Sequence, residues 1–119
     1  MRFWHSNATH AIGGMILMGS WAAFANRAHP FPEPLKAALV QATITAVITL
    51  IMKRAIEWVA RRTRTMIFPA LSAGTISAVL LFAIHSLAGT PEVLTTMIVP
   101  FLVSTTYGAI YSRSLRRVT

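Results

Sequence analysis

Four long apolar stretches alternate along this chain with short segments that are basic or carry proline. They run from Ala8 to Ala25, Leu35 to Met52, Met66 to Leu87 and Val93 to Tyr111. Lys36, at the edge of the second, is their only Asp, Glu, Lys or Arg. A membrane-spanning helix needs roughly 20 mostly apolar residues, and all four stretches come close to that length. A span within lipid must satisfy its own backbone donors and acceptors, so each is expected to be helical. The fold expected is all-α: a polytopic membrane protein with residues 1–119 as one domain of four transmembrane helices, arranged as two antiparallel hairpins.

The boundaries carry their own signals. Ser6 or Asn7 can cap the first helix, and Thr65 the third, with Pro69 in its first turn where a missing N–H costs nothing. Thr90-Pro91-Glu92 offers the fourth helix a cap, a proline at its first position and a carboxylate at the positive end of the dipole. Pro32-Glu33-Pro34 does the same for the second. Ala23-Phe24-Ala25 has the form of a signal-peptide cleavage site, but the first span is read here as an uncleaved helix.

Composition narrows the class further. Of 119 residues, 55% are hydrophobic and 12% charged, about half the ~25% charge of soluble domains. A soluble fold this small could not cover its surface with so few charges. A soluble enzyme and a disordered tail are excluded on that ground, and the lack of cysteine excludes a disulfide scaffold.

The net charge of +8 is unevenly distributed. Arg2, then Lys53, Arg54, Arg61, Arg62 and Arg64 in the basic loop 53–65, then Arg113, Arg116 and Arg117 fall on one side of the expected membrane; Arg27 and Lys36 fall on the other. The positive-inside rule puts both termini and the middle loop in the cytoplasm, with a bacterial inner membrane as the expected location. Trp4, Trp58 and Tyr111 sit where an aromatic belt belongs. Topology alone accounts for the basic loop. A sharper reading has Lys53, Arg54, Arg61, Arg62 and Arg64 holding anionic lipid headgroups, worth ~1 kcal/mol per basic residue near the surface. Nucleic acid is not an expected partner, because the membrane already explains the basic residues.

A shift of 59 residues aligns the two halves: Pro32-Glu33-x-Leu35 falls on Pro91-Glu92-x-Leu94, Val40 on Val99, Ile51 on Ile110 and Arg54 on Arg113. Each half would be one hairpin of the same topology, with any symmetry axis along the membrane normal. The alternative is that two hairpins simply need the same caps at the same places.

Small residues mark the expected packing faces. Ala38, Ala42 and Ala46, then Ala70, Gly74 and Ala78, then Ser104, Gly108 and Ser112 recur at i, i+4, i+8, each set along one helix face. Such residues let membrane helices approach closely, within this chain or against other subunits. Beside the alanines runs a polar stripe, Gln41, Thr45 and Thr49, to which Ser104 and Tyr107 on the fourth helix could add hydroxyls. It is read either as local hydrogen bonding or as a hydrophilic path. Pro100 deprives the Thr96 carbonyl of its helical partner and should kink the fourth helix.

Chemistry is sparse. No acidic residue lies within a span, which argues against proton-coupled antiport through a buried carboxylate. His5, His10, His29 and His85 are expected at opposite faces. A His29/His85 pair with Glu33 or Glu92 could bind zinc, but the ligand spacing is not that of a known site, and neither metal nor cofactor is expected. There is no phosphate loop and no hydrolase or metalloprotease motif. Two functions therefore stand: a non-catalytic packing subunit of a homo-oligomer or larger membrane complex, and an oligomeric channel or transporter for a neutral or anionic solute.

Overall fold

The computed structural model describes residues 9–118, with His10 and residues 116–118 as backbone only. Arg2, Trp4, His5, Ser6 and Asn7, and the side chains of His10, Arg116 and Arg117, therefore lie outside the described residues. Four helices follow one another: α1 His10–Ala25, α2 Glu33–Arg62, α3 Ile67–Ala88 and α4 Val93–Val118. Three of them, α2, α3 and α4, are long and apolar enough to cross a membrane. The described part of α1, 16 residues, is about 24 Å long at 1.5 Å per residue. α2, at 30 residues, is about 45 Å long, well beyond a ~30 Å hydrocarbon core.

That length changes the basic stretch. Helix α2 continues through Arg62, so Lys53, Arg54, Arg61 and Arg62 are carried on its last turns and only Thr63–Met66 connect it to α3. Local rules explain the continuation: nothing between Met52 and Arg62 breaks a helix, and the cations of the last turn suit the negative end of the dipole. The expected cap at Thr65 is not formed. Met66 takes the capping position of α3 without a side-chain hydrogen bond, while Pro69 lies buried in the first turn.

Within each hairpin the helices run side by side, α1 along α2 and α3 along α4; α2 also packs along α3. α4 touches both α1 and α2, whereas α1 and α3 do not meet among the described residues. The result is a flattened bundle of 51 × 31 × 17 Å, in which α2 and α4 lie across the short diagonal. The apolar core is built from Ile44, Ile48, Met52 and Ile56 of α2 with Ala73 and Leu81 of α3. Leu39, Leu50, Leu71, Val79, Leu94, Leu102 and Ile110 face outward, the reverse of a soluble bundle and the arrangement lipid requires.

The small-residue faces are used inside the hairpins. A Cβ built on Gly19 would lie 3.2 Å from the Ala38 carbonyl and 3.8 Å from the Ala42 Cβ. One on Gly108 would lie 2.7 Å from the Ala73 Cβ and 3.3 Å from the Ala70 Cα, and one on Gly74 would meet Thr105 and Phe101. Ala46, Ala78 and Ser104 are half-buried, and Ser112 is buried.

Candidate functional site

Five buried polar side chains, Asn26, Gln41, His85, Thr90 and Thr96, gather at the end of the bundle that carries the 26–32 and 89–92 connections. Helix α3 ends there in a Schellman motif. Gly89 adopts the left-handed conformation at φ 77°, its N–H bonds the Ser86 carbonyl at 3.2 Å, and the Thr90 N–H bonds the His85 carbonyl at 3.0 Å. The reversal folds Thr90 back over His85, so its hydroxyl lies 2.7 Å from His85 Nδ1. The other ring nitrogen, Nε2, lies 2.8 Å from Gln41 Oε1 on α2. Gln41 Nε2 in turn donates to Thr45 Oγ1 at 3.1 Å. With the amide so oriented, His85 Nε2–H is the donor to Gln41, and Nδ1 accepts from Thr90 in the neutral ring. His85 and Gln41 are both fully buried. Thr49, one turn further along α2, closes onto its own helix through Oγ1 to the Thr45 carbonyl at 2.7 Å.

A second group joins the hairpins nearby. Asn26, fully buried after the last turn of α1, donates to Thr96 Oγ1 and to the Ala22 carbonyl, each at 2.8 Å. Its Oδ1 accepts the Glu92 N–H at 2.9 Å. Thus α4 receives its capping acceptor from the other hairpin, not from Thr90, whose hydroxyl is on His85. Thr96 Oγ1 donates to the Glu92 carbonyl at 2.6 Å. Trp21 Nε1 donates to the Thr96 carbonyl at 3.1 Å, which is the carbonyl that Pro100 leaves without an N–H. His29 pairs with Glu92, Nε2 to Oε2 at 2.8 Å.

The 59-residue shift sends Asn26 onto His85. Each stands at the end of the first helix of its hairpin, each is fully buried, and each bonds the second helix of the other hairpin. The two positions thus form a reciprocal tie between the hairpins, with different side chains in the two places.

Other expected site residues lie elsewhere. Tyr107 stacks on Tyr111 with ring centroids 5.4 Å apart, and the Tyr111 hydroxyl donates to Glu57 Oε2 at 2.6 Å. Glu57 is roughly 24 Å along α2 from Gln41 at 1.5 Å per residue, so Tyr107 does not extend the polar stripe. Arg62 lies 3.9 Å over the Trp58 ring and donates to the Trp58 carbonyl at 3.1 Å. Arg54, Arg61 and Arg64 are exposed, and Lys53 is half-buried.

His29 and His85 have separate partners, so the two-histidine zinc arrangement does not assemble. Among the described residues no group of three or more histidine, aspartate or glutamate side chains could hold a metal ion.

No family model, curated protein or solved structure matches this chain. What the fold and site define is a membrane protein of the helix-bundle class, with a hydrogen-bonded polar network tying two hairpins together. Asn26 and Trp21 were not singled out as site residues by sequence reasoning. For Trp21 the legible signal is the orphaned Thr96 carbonyl; Asn26, which bonds the Thr96 hydroxyl instead, carries none.

Proposed function

We propose that this protein is a small non-catalytic membrane subunit, a rigid unit of two helical hairpins that packs against copies of itself or within a larger inner-membrane assembly. The observation that carries this reading is that every buried side-chain nitrogen and oxygen among the described residues has a hydrogen-bond partner. A network satisfied in this way rigidifies a bundle and leaves none of these buried groups without a partner.

In the full reading all four helices span. Both termini and the basic end of α2 face the cytoplasm by the positive-inside rule, and anionic headgroups neutralise Lys53, Arg54, Arg61, Arg62 and Arg64. Gly13, exposed on α1 with nothing within 4 Å of its built Cβ, offers a place for a neighbouring helix to approach closely.

The test is cross-linking in native membranes followed by native mass spectrometry of the purified assembly. A defined oligomer or a stoichiometric membrane partner is the expected result; a lone monomer with no partner defeats the proposal. The second reading, an oligomeric channel or transporter, draws on one feature, the Gln41–Thr45–Thr49 ladder meeting an intramembrane histidine. Solute flux through the purified protein in liposomes would favour it.

A further inference from the structure

An open groove of about 520 Å³ lies between α2 and α3 toward the basic end, lined chiefly by Ala55, Trp58, Phe68, Leu71, Ser72 and Thr75. Its size is within the range of pockets that hold a drug-sized ligand, roughly 300–1,000 Å³, and leaves room for a hydrocarbon chain. Trp58 forms one wall, and Arg62 is fixed against the same ring, its guanidinium 3.9 Å from the ring centroid and one N–H on the Trp58 carbonyl. A guanidinium has five N–H donors, so four remain for an oxyanion beside the groove. Arg54, Arg61 and Arg64, on the same stretch of the chain, are exposed. Glu57, the one carboxylate on this part of α2, already accepts the Tyr111 hydroxyl.

We propose that this groove is a binding site for one anionic phospholipid, with an acyl chain between Trp58 and Phe68–Leu71 and the phosphate on Arg62. The inference rests on the membrane reading above and goes beyond a diffuse attraction to headgroups. The apolar lining selects a lipid over a free anion. The surplus of cations selects an anionic over a zwitterionic headgroup.

The test uses the full chain in mild detergent, with lipid retention followed by native mass spectrometry and thermal unfolding. The probes are phosphatidylglycerol, phosphatidylcholine of the same acyl chains, and water-soluble glycerol 3-phosphate. Phosphatidylglycerol should bind at least about fivefold more tightly than phosphatidylcholine, and Arg62→Gln should remove about that factor, the equivalent of ~1 kcal/mol per basic residue. Ala55→Phe, or Ser72→Leu if the first variant fails to fold, should fill the groove and weaken both lipids. Arg27→Gln is the control, because Arg27 makes the same kind of stack on Phe24, also 3.9 Å, at the other end of the bundle; it should leave lipid binding unchanged. Equal retention of the two phospholipids overturns the site, as does equal loss in Arg27→Gln, unaltered binding in the groove-filling variant, or competition by glycerol 3-phosphate as strong as by the lipid. Release of the protein from membranes by alkaline carbonate would instead defeat the membrane reading itself.

Discussion

The indole N–H of Trp21 donates to the main-chain carbonyl of Thr96 at 3.1 Å. That carbonyl would bond the N–H of residue 100 in an uninterrupted helix, and residue 100 is proline. A side chain on the first helix therefore completes the backbone of the fourth. In lipid no water stands ready to do so, and an unsatisfied carbonyl is costly. The same contact draws α1 against α4, a pair that otherwise touches little.

Trp21→Phe should keep the ring's packing and lose the donor, lowering stability by about 0.6–1.7 kcal/mol, the range of interhelical hydrogen bonds in membranes. Pro100→Ala restores an N–H to the Thr96 carbonyl. In that background the Trp21→Phe penalty should shrink toward zero. Unfolding titrations of the four proteins in bicelles measure the coupling; two independent, additive penalties would mean that the indole does not serve the orphaned carbonyl.

The two packing glycines of the second hairpin, Gly74 and Gly108, should differ in their tolerance of a methyl group. On Gly108 a Cβ would lie 2.7 Å from the Ala73 Cβ, 3.1 Å from the Pro69 carbonyl and 3.3 Å from the Ala70 Cα. On Gly74 the tightest neighbour is a side-chain end, Thr105 Oγ1 at 2.9 Å. Gly108→Ala should therefore cost about 1–3 kcal/mol as overpacking does, and Gly74→Ala less. Ala73→Gly should relieve the first variant and not the second. Melting temperatures in one detergent give the order, and equal melting of all three proteins would contradict it.

Gln41→Leu leaves the His85 Nε2–H without its acceptor, in a site where both residues are fully buried. Combined with Thr45→Val, it should change stability by on the order of 1 kcal/mol and alter no solute flux in liposomes. Adding His85→Phe should cost less than the separate penalties added together, because apolar groups then replace both ends of the His85–Gln41 bond and only the Thr90 hydroxyl loses its partner, as it does in His85→Phe alone. A flux that the wild type supports and the Gln41–Thr45 variant loses, with assembly intact, would reverse the functional ordering.

Orientation is tested with single cysteines at exposed positions. Arg61→Cys and Ser114→Cys should be shielded from an impermeant thiol reagent added to intact cells, while Ala28→Cys and Pro91→Cys should react. The opposite labelling would invert the topology that nine of the eleven basic residues imply.

Much of the architecture is legible along the chain because its causes are local. Apolar runs of spanning length dictate helices. The orphaned Thr96 carbonyl follows from Pro100 alone, since helical hydrogen bonds connect residues four apart. The likeness of Pro32-Glu33 and Pro91-Glu92 is legible because both hairpins restart a helix there. The stripe of Gln41, Thr45 and Thr49 follows from spacing in the same way.

What only the tertiary structure decided was which partner answers each local need. Trp21 lies 75 residues from Thr96 and His85 lies 44 from Gln41, and nothing in either neighbourhood specifies the other. His29 and His85 are a chemically reasonable pair on paper, yet packing gives one to Glu92 and the other to Gln41 and Thr90. Local sequence sets how many donors and acceptors a helix end leaves over. Which side chain reaches them depends on the rotation and depth of the neighbouring helix; Gly19, Gly74 and Gly108 set these within each hairpin, and the packing of one hairpin on the other sets the rest.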